Sequence, residues 1–159
     1  MKNKKYCPLT NDVETRNKIG YLPENNPLYG DMVVKDYLEF IAKIRNVNPS
    51  IIGTNISKAV EETGLQRVYY NQVNQCSKGY KQRVGLAAAL LHEPSILIMD
   101  EPTEGLDPNQ RVPIRKLIRS LSTERTVLLS THVLQEVEET CDRILIINKG
   151  KLVANGTIA

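Results

Sequence analysis

Polar and apolar positions follow no period over the first 17 residues, and Pro8 among several Asn and Thr residues predicts an irregular lead-in over 1–17. Lys18 to Leu22 is a short apolar stretch stopped by Pro23, the pattern of a strand that ends in a loop. A helical block follows. Leu38, Ile41, Ala42 and Arg45 recur at i, i+3, i+4 and i+7, with Phe40 and Ile44 beside them, which predicts a helix over about 35–45. A second helix is expected from Asn55 or Ser57 to Thr63, with Gly64 as its stop. The third begins after Gly79 and passes through Val84, Leu86, Ala87, Ala88, Ala89, Leu90 and Leu91. It is apolar nearly all round, so deep burial is expected.

Beyond Pro94 the pattern changes. Ser95 to Met99 is a continuous apolar run, as in a strand buried on both faces of a parallel sheet, and Thr126 to Leu129 and Arg143 to Ile147 repeat it. Helices over about 110–121 and 133–141 lie between these runs; the first carries Ile114, Leu117, Ile118 and Leu121 on one face, with Pro113 in its first turn. A short last strand, Lys151 to Ala154, follows a turn at Lys149-Gly150. Strands alternating with helices predict an α/β architecture with parallel pairing, and the helical block reads as an insertion between strands.

Composition narrows the classes. Lys and Arg total 21 against 18 Asp and Glu, a net charge of +3 without a uniformly basic helix face, which argues against nucleic acid as a partner. Cys7, Cys76 and Cys141 match neither a zinc spacing nor a disulfide framework, so a reducing cytosol is the simplest setting. No apolar run approaches the roughly 20 residues of a membrane span. The chain can still dock on a membrane.

The candidate chemistry is concentrated at strand ends. Asp100 and Glu101 are adjacent carboxylates at the carboxyl end of the Ile96 to Met99 strand, where open α/β sheets bind ligands. There Asp100 can hold Mg²⁺ through water, and Glu101 can orient or deprotonate an attacking water. Alone, such a pair is more often an acidic loop cap. Gly105-Leu106-Asp107-Pro108 comes directly after, and His132 ends the next strand, where its imidazole can face the same crevice. Upstream, Ser77, Lys78 and Gly79 open the buried helix. Free N–H groups, a hydroxyl and a glycine there suit an anion, although by itself the segment reads as an N-cap.

In this order the pieces resemble the ATP-binding-cassette (ABC) family. Ser77-Lys78-Gly79 with Gln82-Arg83 is similar to its signature motif, Asp100-Glu101 to Walker B and the catalytic glutamate, Gly105 to Pro108 to its D-loop, and His132 to its switch histidine. Tyr21-Leu22-Pro23-Glu24 corresponds to the Q-loop, and its continuation to Tyr29 is similar to bacterial exporters of the ABC-2 and gliding-motility type. The resemblance runs from about Ile19 to the C-terminus. It implies a P-loop NTPase-like α/β fold, with a Q-loop strand and loop over 18–25, a helical subdomain with the signature over 26–92, and the Walker B, D-loop and switch-histidine part over 93–159. It also implies ATP and Mg²⁺ as cofactors. Glu101 and His132 would be catalytic, Asp100 and Glu24 would hold the metal, and Ser77, Lys78, Gly79 and Asp107 would face nucleotide. The implied partners are a second ATP-binding subunit and a transmembrane permease, at the cytoplasmic face of the membrane.

The sequence departs from the family at several points. No G-x-x-x-x-G-K-[ST] occurs among the 159 residues. The family places that Walker A loop before the Q-loop strand, so an N-terminally truncated chain lacking the Walker A strand is expected. By itself such a chain offers a signature half-site without a phosphate cradle, and little or no ATPase activity is expected of it. The family also sets the Walker A strand between the strand ending at His132 and that over about 143–147, so two unpaired edges facing a gap are expected. Glu24 stands where the family usually has Gln, Lys78 and Tyr80 replace the commoner glycine and glutamine, and Cys76 a leucine. Two rival functions remain open: a non-catalytic module that binds a permease or an intact ATPase subunit, and a soluble cassette ATPase of DNA repair or translation.

Overall fold

The computed structural model describes residues 12–158. Three strands, β1 (Ile19–Leu22), β2 (Ile96–Asp100) and β3 (Thr126–Ser130), form one parallel sheet in the order β1-β2-β3. Leu22 lies opposite Met99, and Asp100 opposite Ser130, so the loops after all three strands leave from the same edge. The helices α2 (Val34–Ile44), α3 (Ile52–Thr63) and α4 (Lys78–Leu90) connect β1 to its neighbour β2. The helical block is therefore an insertion between paired strands, as its sequence position suggests.

The amphipathic pattern decides the packing of this insertion. α2 buries Val34, Tyr37, Leu38 and Ala42, and α3 buries Asn55, Ile56, Ala59, Val60 and Thr63. α4 is buried continuously from Val84 to Leu90 and packs against β1, α2, α3 and α5 (Pro108–Leu121). Neighbouring segments satisfy several of the helix ends. The Val34 and Lys35 N–H groups donate to the carbonyls of Asn71 and Tyr69, both at 3.0 Å. Asn55 Nδ2 donates to the Leu91 carbonyl at 2.9 Å, and Arg83 Nη1 to the Thr63 carbonyl at 2.8 Å, so α3 and α4 lock each other's C-terminal ends. Gly64 stops α3 in the left-handed conformation, with φ 67°.

α4 and β1 approach so closely that a methyl group at Gly20 would stand 2.5 Å from the Ala89 carbonyl oxygen and 3.0 Å from Pro94 Cγ. The first of these is backbone and cannot rotate away. Gly20→Ala is accordingly expected to destabilise the fold by about 1–3 kcal/mol, read as a lower denaturant midpoint at unchanged slope.

Several expectations are corrected. A one-turn helix, α1 (Asp12–Arg16), occupies part of the lead-in expected to be irregular, while Tyr6 and Cys7 lie outside the described residues. α3 begins earlier than expected because its apolar face reaches back to Ile52, which packs against the core four residues before Ile56, and α5 begins earlier because its cap extends it beyond its buried face. Asp107 caps α5 by accepting the Gln110 N–H at 3.0 Å, and Pro108 takes the first position. Pro113 consequently falls inside the helix, not in its first turn. The largest correction concerns burial. In β2 Leu97 and Met99 are buried but Ile96 is not, and β3 is exposed at alternate positions. β4 (Arg143–Asn148) pairs antiparallel with β5 (Lys151–Thr157), and among the described residues it hydrogen-bonds to no strand of the parallel sheet. Leu145, Ile146 and Ile147 are exposed. A continuous apolar run shows that a strand can be covered on both faces; it cannot show that a cover is present.

Candidate functional site

The site is assembled where β2 and β3 end. Asp100 is the last residue of β2, and Ser130, its partner in register, donates its hydroxyl to Asp100 Oδ1. The pairing continues one step, with the Glu101 N–H donating to the Ser130 carbonyl at 3.1 Å. Glu101 then turns sharply at φ 44°, a left-handed backbone that a non-glycine residue rarely adopts and that surrounding structure must hold. This turn brings its carboxylate to His132, whose Nδ1 lies 2.8 Å from Glu101 Oε1. Glu104 Oε2 stands 3.8 Å from His132 Nε2. Glu101 is half-buried while His132 is exposed.

The hydrogen bond and charge of Glu101 raise the His132 pKa above its ordinary value, and Glu104 and Glu136 add to the effect. A raised pKa means that the folded state favours protonated His132. The pair's contribution to stability is complete below about pH 6.5 and fades as pH rises through the raised value. Glu101→Gln should return the His132 midpoint towards about 6.5, measurable by NMR titration. An unchanged midpoint would show that the 2.8 Å contact does not persist in solution.

The other expected site residues have plainer surroundings. Ser77 caps α4, accepting the Tyr80 N–H at 3.3 Å. Gly79 is buried, with the Gln110 side chain lying over its Cα. The Lys78 ammonium lies against Gly105, so the start of α4 and the turn before α5 touch within one chain. Asp107 caps α5 through its Oδ1. Glu24 is exposed in the loop after β1, where with Asn25, Asn26, Lys78, Lys81 and Gln82 it lines a groove of about 520 Å³. It leaves the same sheet edge as Asp100, but no hydrogen bond or ion pair joins the two among the described residues.

Asp100 offers oxygen donors at a strand end, and exposed Glu24 offers more from the neighbouring loop, a set that suits Mg²⁺ held through water. An alternative cation set is Glu101, Glu104 and His132, whose ligand atoms lie within 4.8 Å of one another. The Glu101–His132 bond already occupies it.

Glu136, Thr103 and Thr131 were not singled out from sequence. Glu136, on the first turn of α6 (Leu134–Thr140), is buried and accepts from both threonines. Its one sequence signal is a carboxylate four residues after His132 where the short helix must face the protein.

Known proteins resemble this chain in sequence and in fold. The model of the family described as ABC transporter matches residues 2–104. An uncharacterized ABC transporter ATP-binding protein of Methanocaldococcus jannaschii is 38% identical over 150 residues, covering 94% of this chain and 57% of the relative. The linearmycin resistance ATP-binding protein LnrL of Bacillus subtilis is 35% identical over 145 residues, covering 91% of this chain and 47% of the relative. The chain thus spans about half the length of these relatives. Among solved structures, cbiO1 of Clostridium perfringens, described as part of the ABC transporter complex cbiONQ, superposes with a TM-score of 0.83 at 29% identity, over 92% of this chain and 59% of that one. With a family model matched over more than half of its residues, an α/β sheet of the same form and a paired carboxylate and histidine at its edge, the chain belongs to the ABC transporter family.

Proposed function

We propose that the chain is part of the ATP-binding subunit of an ABC transporter, coupling ATP binding and hydrolysis to movement of a membrane permease. The observation that carries this reading is the Glu101–His132 hydrogen bond of 2.8 Å at the carboxyl end of the parallel sheet. MgATP, when bound, supplies a γ-phosphoryl group activated by the metal on its oxygens. Glu101 accepts a proton from, or orients, the attacking water, and its bond to His132 fixes that carboxylate. His132, whose protonated form Glu101 favours, would offer positive charge to a γ-phosphate. Asp100, with one oxygen held by Ser130, and Glu24 would hold Mg²⁺. Ser77, Lys78, Gly79 and Asp107 present a second face of nucleotide contacts to a like subunit.

On this reading, residues 18–25 and the helical block over 26–92 pass the motion to the permease, and 93–159 carry the chemistry, at the cytoplasmic face of the membrane. The name of LnrL, for linearmycin resistance, supports an exporter. No helix among the described residues is long and apolar enough to cross a membrane, so passage itself falls to the permease on this reading.

The test is a chimera carrying a G-x-x-x-x-G-K-[ST] loop, with its flanking strand and helix, ahead of Ile19. It should hydrolyse MgATP, and Glu101→Gln should lower kcat by roughly 100-fold or more. Turnover indifferent to Glu101→Gln would remove Glu101 from the chemistry.

A second reading, a non-catalytic half-site, rests on the start of α4, where Ser77 caps the helix and Lys78 lies against Gly105. Here the chain lends its signature to an intact cassette subunit without turning over ATP through Glu101. Gly79→Asp would then abolish stimulation of the partner subunit, while Glu101→Gln would not. Pull-down of a permease, against nucleic acid, separates both readings from a soluble cassette ATPase.

A further inference from the structure

Glu136 is only 3% exposed, yet it lies in a seven-residue helix that contributes little to the apolar core. Thr103 Oγ1 is 2.6 Å from each of its carboxylate oxygens, donating its one proton to either. Thr131 Oγ1 donates to Oε2 at 3.3 Å and itself accepts the Val133 N–H at 3.1 Å. Arg111 Nη1, from α5, stands 3.9 Å from Oε1. Thr103 lies two residues beyond Glu101, and Thr131 adjoins His132. One buried carboxylate therefore ties together the two turns that present Glu101 and His132, without touching either.

Burying a carboxylate is costly, and an apolar side chain of similar size commonly gives equal or greater stability. Core stability therefore gives no reason for an acid at this position. Geometry does. The His132 turn has little packing to hold it, since β3 is exposed at alternate positions and the His132 side chain is 68% exposed. Glu101 must also be kept at a positive φ. Short, directional bonds to a fixed acceptor supply both constraints.

We propose that Glu136 is a positioning residue, which through Thr103 and Thr131 holds Glu101 and His132 at hydrogen-bonding distance. The role rests on the reading of Glu101 and His132 as the working pair, but its test needs no turnover.

The test is NMR titration of the two histidines in the 159-residue chain. His92 is half-buried with Nε2 3.0 Å from the Ile19 carbonyl, and burial lowers its pKa, so the two titrations separate. The acids acting on His132 are Glu101, Glu104 and Glu136. Thr103→Val keeps all three charges and removes only the hydroxyl. It should move the His132 midpoint towards its ordinary value and abolish the downward shift that Glu101→Gln causes in the parent chain. Thr103→Ser should restore both. The proposal fails if Thr103→Val and Thr131→Val lower the melting temperature but leave the His132 midpoint and its response to Glu101→Gln intact. Should Glu136→Gln not fold, the threonine variants still decide the question. A chimera without ATPase activity would discard the catalytic reading and leave the titration result standing.

Discussion

Purified by itself, the 159-residue chain is expected to release no more phosphate from MgATP than its own Glu101→Gln variant. The residues at the sheet edge supply a water-directing carboxylate, a histidine and metal donors, but most stabilisation of a phosphoryl-transfer transition state comes from donors aimed at the phosphates. The 159 residues contain no G-x-x-x-x-G-K-[ST] loop to provide its backbone N–H groups, its lysine or its metal-binding hydroxyl. Loss of one such donor costs roughly 10²–10³ in rate, so losing several leaves nothing measurable. Calorimetry with MgATP alongside phosphate release decides the matter. Magnesium-dependent turnover abolished by Glu101→Gln would mean that the phosphates find another cradle within this chain.

The second large effect concerns solution state. Leu128 on β3, and Leu145, Ile146, Ile147, Leu152 and Val153 on the hairpin, are all exposed. Among the described residues the outer edge of β3 is unpaired, and the hairpin forms a separate two-stranded sheet. Covering half of a large aliphatic side chain contributes about 1 kcal/mol, so covering this set contributes several. That is comparable with the whole stability of a small domain, about 5–15 kcal/mol. The chain is therefore expected to self-associate, or to melt broadly at low temperature, when nothing pairs with these strands. Sedimentation velocity should show oligomers that Leu128→Lys combined with Ile147→Lys converts largely to monomer. A sharp, monomeric transition at high temperature in the parent chain would overturn this expectation.

Much of the fold is legible because local periods carry it. The α5 face of Ile114, Leu117, Ile118 and Leu121 is buried as its spacing requires, and Gly64 ends α3. The turn at Lys149 and Gly150 has positive φ at both residues, as a two-residue hairpin needs. Boundaries were less legible at α3, whose apolar face reaches back to Ile52 across Gly53 and Thr54, and at α5, which the Asp107 cap carries beyond its apolar stripe. The site was legible in part. Asp100, Glu101 and His132 are recognisable from residue type and order at strand ends, and the structure brings Glu101 and His132 together across 31 positions of sequence. Glu136 escaped because its partners, Thr103 and Thr131, are ordinary loop threonines whose meaning comes only from convergence on one carboxylate.

The order of residues along this chain determined its element types, the parallel α/β class with an inserted helical block, and the family, because periodicity and short motifs are local properties. Tertiary structure alone decided which apolar strands are covered and which face solvent. It turned Glu101 through a left-handed backbone onto His132, and it set the Gln110 side chain over Gly79. Burial and hydrogen-bond geometry depend on what other segments bring to the same place, and no local stretch of sequence encodes its own neighbours.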